Sequence, residues 1–457
     1  MPGAPPRAPR YERVCNPLHS ISAFGVAPWV PARSVVQKRI SGAGGCRLAT
    51  NGVLWDPHAR GIAAGSEERA SDRARAGGRP LRKQQELYGE HAPFTAFEAV
   101  GPDTDLSQLD LNWREQDLPQ HERTRHVHGL HPYLGKFIPQ LVEIFLRKYA
   151  RESVVDPFAG SGTTLVEANR LGFRAMGCDV SAFNCLLARV KTARYDLALL
   201  RREMHDVLAR TEFELFKKSA AVGGLDGAGD GKPEVPARGS AYLRRWYAPQ
   251  ALTELLTYRS FIPLYRYQDV LKLVLSRAAR SARLTTHFEL DFPAEPQTTP
   301  YYCRKHHRIC SPTTQALAFL RRYTADTLRR IEAFAAVRTQ APVEVVWGDA
   351  RDVRFPPCDT VVTSPPYPGL IDYHEQHRYA YELLGLPGLQ EREIGRPNGA
   401  GGRRRLLAEY YRGIADVFAN VAGSVRPGGH VIIVVHDRDD AYVRLAGELG
   451  WEVESKF

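Results

Sequence analysis

One short segment, Ser364-Pro-Pro-Tyr367, has residue types suited to chemistry on an amino group of a nucleic-acid base. Such an amine is a poor nucleophile because its lone pair is delocalised into the ring. The Ser364 hydroxyl and the Pro365 carbonyl can accept its two N–H bonds and favour the attacking geometry. Tyr367 can stack on a base turned out of a duplex. We therefore predict that Ser364, Pro365, Pro366 and Tyr367 form a catalytic site.

A glycine-containing turn, Asp156 to Thr164 (DPFAGSGTT), suggests a binding site for a bulky cofactor. Gly160 and Gly162 let the backbone pass close to a ligand at the carboxyl end of a strand, where open α/β sheets bind their ligands. The turn lacks the Lys-Ser/Thr pair of a phosphate-binding loop and the third glycine of the dinucleotide fingerprint. A phosphate-free cofactor is the better fit.

Acidic residues follow three successive predicted strands, namely Asp156, Asp179 and Asp349. Asp179 is placed to bond ribose hydroxyls, and Asp349 with Ala350 could bond an adenine amino group. Each acid taken singly would be read as a helix N-cap. Together with the glycine turn, the three acids suit a nucleoside that carries a cationic sulfur and no phosphate.

The elements that position these residues alternate between strand and helix, as in a parallel α/β sheet. The predicted strands cover 153–155, 174–178, 343–347, 360–363, 431–435 and 451–457. The predicted helices cover 141–149, 164–171, 182–192 and 406–422, and residues 425–430 are predicted to form a turn. The sequence therefore predicts an α/β fold whose sheet carries both sites at one edge.

The predicted fold is divided by a long insert. Residues 1–110 are biased towards Pro, Gly, Ala and Arg, which predicts a disordered leader. Residues 111–194 carry the cofactor turn and 341–457 carry the catalytic segment, whereas 195–340 form a mainly helical insert. A Gly-rich stretch over 222–239 is predicted to be a flexible loop.

The insert is basic, with 17 Lys and Arg against 7 Asp and Glu over residues 238–338. Concentrated positive charge is the electrostatic footprint of a nucleic-acid binder, although a solvated basic face would have the same composition. We also find no long apolar run and no secretory signal, which predicts a cytoplasmic protein without a membrane partner.

The seven cysteines are scattered, which argues against a disulfide framework. Cys303, His306 or His307, and Cys310 are metal-ligand types, but a second Cys/His pair is not evident nearby, so we predict no metal site. The alternative is a basic loop with small buried thiols. No Pro-Cys pair occupies the catalytic segment, which argues against a cysteine nucleophile that attacks a ring carbon.

Taken together, residues 122–457 resemble the amino-group DNA methyltransferases, and most of all the members specific for cytosine N4 in restriction-modification systems. The segments at Asp156–Gly162 and Ser364–Tyr367 match the cofactor loop and the catalytic motif of that family. His131–Phe137 looks like the family segment that precedes the cofactor loop and packs over the methionine part of the cofactor. The cofactor-binding residues expected from both arguments are Tyr133, Lys136, Phe137, Asp156, Phe158, Gly160, Gly162, Thr163, Asp179, Asp349 and Ala350.

The resemblance implies a Rossmann-like class I S-adenosylmethionine-dependent methyltransferase fold, with the insert as its target-recognition region. It implies methyl transfer to cytosine N4 in double-stranded DNA, because Ser at the first motif position goes mostly with cytosine and Asp or Asn with adenine. The alternatives are methylation of adenine N6 in DNA or of a base in RNA, or a DNA-binding relative without catalysis. A restriction endonuclease acting on the same site is the implied partner.

The family sheet has the strand order 3-2-1-4-5-7-6, with its seventh strand antiparallel to the others. The segment from Trp451 to Phe457 reads as the sixth strand. We therefore expect a C-terminal strand to be missing from this sequence.

Overall fold

A computed structural model describes residues 36–37, 46–50, 93–222, 240–369, 371–396, 402–437 and 440–456. The strands are β1 (Val36–Gln37), β2 (Cys46–Thr50), β3 (Ser153–Asp156), β4 (Arg174–Asp179), β5 (Tyr301–Cys303), β6 (Arg308–Cys310), β7 (Val343–Trp347), β8 (Cys358–Thr363), β9 (Val425–Ile433) and β10 (Trp451–Lys456). The first helices are α1 (Gln120–Arg123), α2 (Pro139–Tyr149), α3 (Thr163–Leu171), α4 (Ala182–Thr192), α5 (Leu197–Val222), α6 (Ala241–Trp246) and α7 (Pro249–Phe261). They are followed by α8 (Gln268–Ala282), α9 (Leu317–Ala335), α10 (Tyr373–Gln376), α11 (Arg378–Leu384), α12 (Gly402–Ala422) and α13 (Ala441–Glu448).

One large sheet organises the molecule, with the strand order β10-β2-β1-β9-β8-β3-β4-β7. The pairs β9–β8, β8–β3, β3–β4 and β4–β7 are all parallel. Helices cover both faces of the sheet, which confirms the predicted Rossmann-like α/β fold. Because β3, β4, β7 and β8 run in one direction, the residues that follow them meet at one edge.

The prediction of a turn over 425–430 was wrong, because β9 already begins at Val425, opposite Cys358. The ladder between β8 and β9 shifts its register between Cys358 and Thr360. Gly429 allows the close approach, since a Cβ at this position would lie 2.7 Å from the Asp359 carbonyl oxygen. Glycine and proline thus mark an irregular strand here rather than a loop.

Strands from the N-terminal part of the chain complete this side of the sheet. β2 pairs in parallel with both β10 and β9, and the short β1 pairs antiparallel with β9. β1 and β2 therefore occupy the place between β9 and β10 for which the family order has the seventh strand. The expected antiparallel orientation is found for β1 against β9 but not for β2.

The predicted leader boundary at residue 110 was also wrong, since residues 93–110 already belong to the folded part. Val100 and Leu106 are buried in the core cluster of α2. The Trp113 indole Nε1 donates a hydrogen bond of 2.6 Å to the Phe94 carbonyl. Residues 36–37 and 46–50 are strands as well, and the rest of the leader lies outside the described residues.

The core has three parts, two against the faces of the sheet and one within the insert. The side chains of α12 and α13 pack on one face, and those of α2 and α3 pack on the other. The insert helices α5 to α9 share a third cluster with α4 and α11. The insert is therefore joined to the sheet domain through a common core.

The insert is mainly helical, as predicted, and adds one hairpin formed by β5 and β6. Residues 223–239, most of the predicted Gly-rich loop, lie outside the described part of the chain. None of the described helices combines the length and the apolar character that a membrane crossing would require.

Candidate functional site

A cleft of about 800 Å³, counted with its open mouth, lies at the carboxyl edge of β3, β4, β7 and β8. Eleven of the predicted residues line it, namely Tyr133, Lys136, Phe137, Phe158, Gly160, Thr163, Asp179, Asp349, Ala350, Ser364 and Pro366. Its lining does not include the other four predicted residues, Asp156, Gly162, Pro365 and Tyr367. Most of the predicted cofactor and catalytic residues thus meet in one cavity.

The glycine turn wraps around the floor of the cleft between β3 and α3. Gly160 and Gly162 have φ angles of +48° and +79°, in the left-handed region that favours glycine. A Cβ on Gly162 would lie 2.9 Å from the Cβ of Ala188, so α4 approaches the loop at this point. Gly162 therefore acts from beneath the cleft and allows the turn to form.

Asp156 lies below the loop and connects the two sites. It is fully buried, and its Oδ1 accepts hydrogen bonds from the Phe158 amide (3.1 Å) and the Thr363 hydroxyl (2.6 Å). Burial raises the pKa of Asp156 to about 6. Because Thr363 directly precedes Ser364, this carboxyl group ties the cofactor loop to the catalytic segment.

Asp179 ends β4 and lies in the cleft wall. Its Oδ2 accepts a 2.8 Å hydrogen bond from the Gly160 amide, and its Oδ1 accepts bonds from the Ser181 amide and the Asn184 side chain. Burial raises its pKa to about 6. Its position in the cleft is compatible with the predicted ribose contact.

The Asp349 carboxylate, which follows β7 and lines the cleft, is engaged by two arginines. Arg351 bonds both of its oxygens at 2.5–3.0 Å, and the Arg392 Nε lies 2.7 Å from its Oδ2. These two cations hold the pKa of Asp349 below its usual value. Asp349 and Ala350 both line the cleft, and the contact of this pair with an adenine amino group stays a prediction.

The segment before α2 forms an aromatic wall of the cleft. The Tyr133 ring stacks on Tyr373 and on His377, with centroid distances of 5.7 and 5.8 Å. Lys136 donates a 2.9 Å hydrogen bond to the His128 carbonyl, and burial lowers its pKa to about 8. Phe137 lies in the same wall.

Ser364 opens into the same cleft, directly after β8. Its hydroxyl donates a 2.9 Å hydrogen bond to the Val434 carbonyl at the end of β9. Because the hydroxyl hydrogen is used in this way, the lone pairs of the oxygen can accept N–H bonds. The Tyr410 hydroxyl donates to the Pro366 carbonyl at 2.9 Å and fixes the turn. Tyr367 is half-buried beside this turn, and burial raises its pKa.

Sequence reasoning missed several cleft residues that come from the segment after the catalytic motif. Tyr373, Arg392 and Glu393 all line the cleft, and the Tyr373 amide donates to Glu393 Oε1 at 3.2 Å. Burial, together with the negative charges of Asp372 and Asp179, raises the pKa of Glu393 to about 7. This segment shows no motif that would have marked them.

Two further lining residues, Ser181 and Asn184, could have been found from the sequence. Ser181 lies two residues after the predicted strand-end acid Asp179 and caps α4, accepting from the Asn184 amide at 3.2 Å. The Asn184 side chain donates to Tyr133 and Asp179, and among the described residues its buried Oδ1 has no hydrogen-bond partner. A ligand in the cleft could satisfy that oxygen.

The parallel sheet with a glycine turn, strand-end acids and a Ser-Pro-Pro-Tyr segment in one cleft defines a Rossmann-like methyltransferase. Comparison with known proteins narrows this class. A family model described as DNA methylase, of the N6/N4 type, matches residues 84–189. The chain is 35% identical over 414 aligned residues to a type II methyltransferase, M.MjaII, of Methanocaldococcus jannaschii, covering 75% of this chain and 78% of that protein. The chain therefore belongs to the family of amino-group DNA methyltransferases.

Two weaker similarities were also found. The type II methyltransferase M.MvaI of Kocuria varians is 32% identical over 86 residues, which are 18% of this chain and 19% of that protein. The solved structure of the rRNA methyltransferase aviRa from Streptomyces viridochromogenes aligns over 66% of this chain and 77% of that one, with 16% identity and a TM-score of 0.22. That score is too low to support an argument about the fold or function of this chain.

Proposed function

We propose that this protein transfers the methyl group of S-adenosylmethionine to the exocyclic N4 of cytosine in double-stranded DNA. The observation that carries the proposal is the Ser364 hydroxyl, which donates to the Val434 carbonyl and opens into the cleft shared with Asp179 and Gly160. Because its hydrogen is donated to Val434, the Ser364 oxygen can accept an N–H of the target amine inside the cleft that the cofactor loop also lines. Ser at this motif position favours cytosine by the family resemblance.

The reaction needs little covalent chemistry from the protein. Ser364, with the Pro365 carbonyl, would hold the amine so that its lone pair points at the methyl donor, and Tyr367 would stack on the flipped base. The Tyr410 hydroxyl holds the Pro366 carbonyl and so keeps the turn rigid. Orientation would supply most of the rate acceleration.

The cleft also fits S-adenosylmethionine, which supplies a methyl group on a cationic sulfur. Asp179 would accept from ribose hydroxyls, the unpaired Asn184 Oδ1 offers a further acceptor, and the rings of Tyr133 and Phe158 offer apolar walls. Both Asp179 and Glu393 have raised pKa values because they are buried together. A bound cation would favour their ionised forms.

The insert is the proposed target-recognition region. Some of its basic side chains form ion pairs within the insert, so its net charge is larger than the positive charge available to bind DNA. Arg277 pairs with Asp326, and Arg280 pairs with Asp291. The exposed Arg304, at the tip of the β5–β6 hairpin, is better placed to meet phosphate. By the family resemblance, a restriction endonuclease that acts on the same site is the proposed partner.

The proposed base is tested by nucleoside mass spectrometry on DNA from a methylation-deficient host that expresses the chain. We expect N4-methylcytosine with the wild-type chain and far less of it with Ser364→Ala. N6-methyladenine instead would keep the mechanism and overturn the base assignment. Methylated RNA without methylated DNA would overturn the substrate, and cofactor binding without any product would indicate a relative that only binds DNA.

The affinity for the cofactor should depend on pH, because two titrating acids in the cleft attract the positive charge of its sulfur. Below the raised pKa values of about 6 and about 7, Asp179 and Glu393 take up protons and lose their attraction for a cation. The affinity for S-adenosylmethionine should therefore fall on the order of tenfold more than that for the neutral-sulfur product, S-adenosylhomocysteine, between pH 8 and pH 5.5. Calorimetric titration with both ligands measures this difference.

Two variants of neighbouring residues separate this effect from general acid sensitivity. Glu393→Gln should reduce the difference between the ligands and leave only the part near pH 6, because Asp179 is then the one of the two acids that still titrates. Glu391→Gln, an exposed carboxyl group on the same short helical turn, should leave it unchanged. The same pH dependence for both ligands would show that these acids do not sense the sulfonium charge.

A further inference from the structure

The insert brings together four metal-binding side chains that are separated in the sequence. The ligand atoms of His287, Cys303, His306 and Cys310 all lie within 4.8 Å of one another. Cys303 ends β5, His306 lies in the hairpin turn, Cys310 ends β6, and His287 comes from the segment that follows α8. His287 therefore supplies the fourth metal-binding side chain beside Cys303, His306 and Cys310. It lies sixteen residues before Cys303, a spacing that matches no recognisable metal-binding motif.

The distances within the cluster match those around a tetrahedral zinc ion. The Cys303 sulfur lies 3.4 Å from Nδ1 of His287 and 3.5 Å from Nδ1 of His306, and the Cys310 sulfur lies 3.5 Å from that same His306 nitrogen. Zinc bonds of about 2.3 Å to sulfur and about 2.0–2.1 Å to nitrogen, at tetrahedral angles, place sulfur and nitrogen ligands about 3.6 Å apart. The four side chains already converge on one point with this spacing.

The segment around the cluster has almost no hydrophobic core of its own. Between α8 and α9, residues 283–315 contain only two short strands, and the cysteines Cys303 and Cys310 are its only buried apolar side chains. Several of its larger apolar side chains are exposed, among them Tyr302 at 60% and Ile309 at 64%. A long segment that buries so little needs another source of stability, which a structural metal ion supplies in small domains.

The charges near the cluster are also compatible with bound zinc. Two cysteine thiolates and two neutral imidazoles would together balance the charge of Zn²⁺. The Tyr301 hydroxyl lies 2.9 Å from Nδ1 of His287 and also accepts from the His287 amide at 3.1 Å. With a metal on Nδ1, Tyr301 would retain the second of these bonds.

We propose that His287, Cys303, His306 and Cys310 bind one structural zinc ion that joins the hairpin to the segment after α8. The site is closed, with four protein ligands and no position left for a substrate. Its role is to hold the hairpin, with its basic tip, in a fixed place on the insert. The cluster is separate from the cleft and does not depend on which base the protein methylates.

The test is the metal content of the full-length chain, purified without chelator and measured by inductively coupled plasma mass spectrometry. We expect about one zinc per chain in the wild type and a loss of about tenfold or more in Cys303→Ser. His307→Asn is the matched control, because His307 lies in the same turn, outside the cluster, and its φ of +50° suits asparagine. This control should keep its zinc.

Replacement of the metal by Co²⁺ in the wild-type chain provides a second measurement that needs no variant. The expected spectrum has the visible d–d bands of tetrahedral cobalt and the near-ultraviolet charge-transfer bands of two thiolates. A wild-type chain that takes up neither zinc nor cobalt after reduction would overturn the proposal. Zinc retained in Cys303→Ser, or a Cys303–Cys310 disulfide that persists in a chain unable to bind zinc, would overturn it as well.

Discussion

Ser364→Ala should lower the rate of methyl transfer by roughly 10²–10³-fold while cofactor affinity stays within about twofold of the wild type. The variant removes the hydroxyl that can accept an amine N–H and also removes the 2.9 Å hydrogen bond to the Val434 carbonyl. Ser364 touches the cleft, but the cofactor loop, Asp179 and the aromatic wall remain intact. Single-turnover kinetics for the rate and calorimetry for cofactor binding separate the two effects.

Ser424→Ala is the matched control for this experiment. Its hydroxyl also donates to a backbone carbonyl, that of Val421 at 2.7 Å, but Ser424 lies before β9 and not in the cleft. It should therefore show a similar small loss of stability and near-normal activity. If Ser364→Ala loses cofactor binding while the fold is preserved, the cofactor and catalytic sites have been assigned the wrong way round.

Gly162→Ala should destabilise the protein by about 2–4 kcal/mol and weaken cofactor binding roughly tenfold or more. An alanine would be strained at a φ of +79°, and its Cβ would lie 2.9 Å from that of Ala188. The clash must push the loop away from α4. That movement would shift the Gly160 amide, which donates to Asp179.

Gly172→Ala separates backbone strain from the clash. Gly172 caps the other end of α3 with a φ of +90°, and a Cβ there would have no neighbour within 4 Å. It should cost only about 1–2 kcal/mol and leave cofactor binding unchanged. Denaturant unfolding of both variants gives the two stabilities. Equal losses in the two variants would show that the Ala188 contact relaxes at no cost and that the loop is not confined by α4.

Several parts of the site were predictable because they follow local rules. A short apolar strand, a glycine turn and a strand-end acid define the cofactor loop within a dozen residues, and parallel strands bring such loops to one edge. Asp179 and Ser364 accordingly both line one cleft. The turn predicted over 425–430 failed because glycine and proline can also serve an irregular strand that pairs closely with its neighbour.

The amino-acid sequence by itself determined the class of this protein: a Rossmann-like methyltransferase with a helical basic insert. Only the tertiary structure decided which distant side chains meet. It placed Glu393 in the cleft with Asp179, occupied the Asp349 carboxylate with Arg392, and set His287 beside Cys303. Local sequence patterns encode the conformation of a segment. Contacts between distant side chains depend instead on how the crossover connections and the insert pack, and no short-range spacing in the sequence specifies that packing.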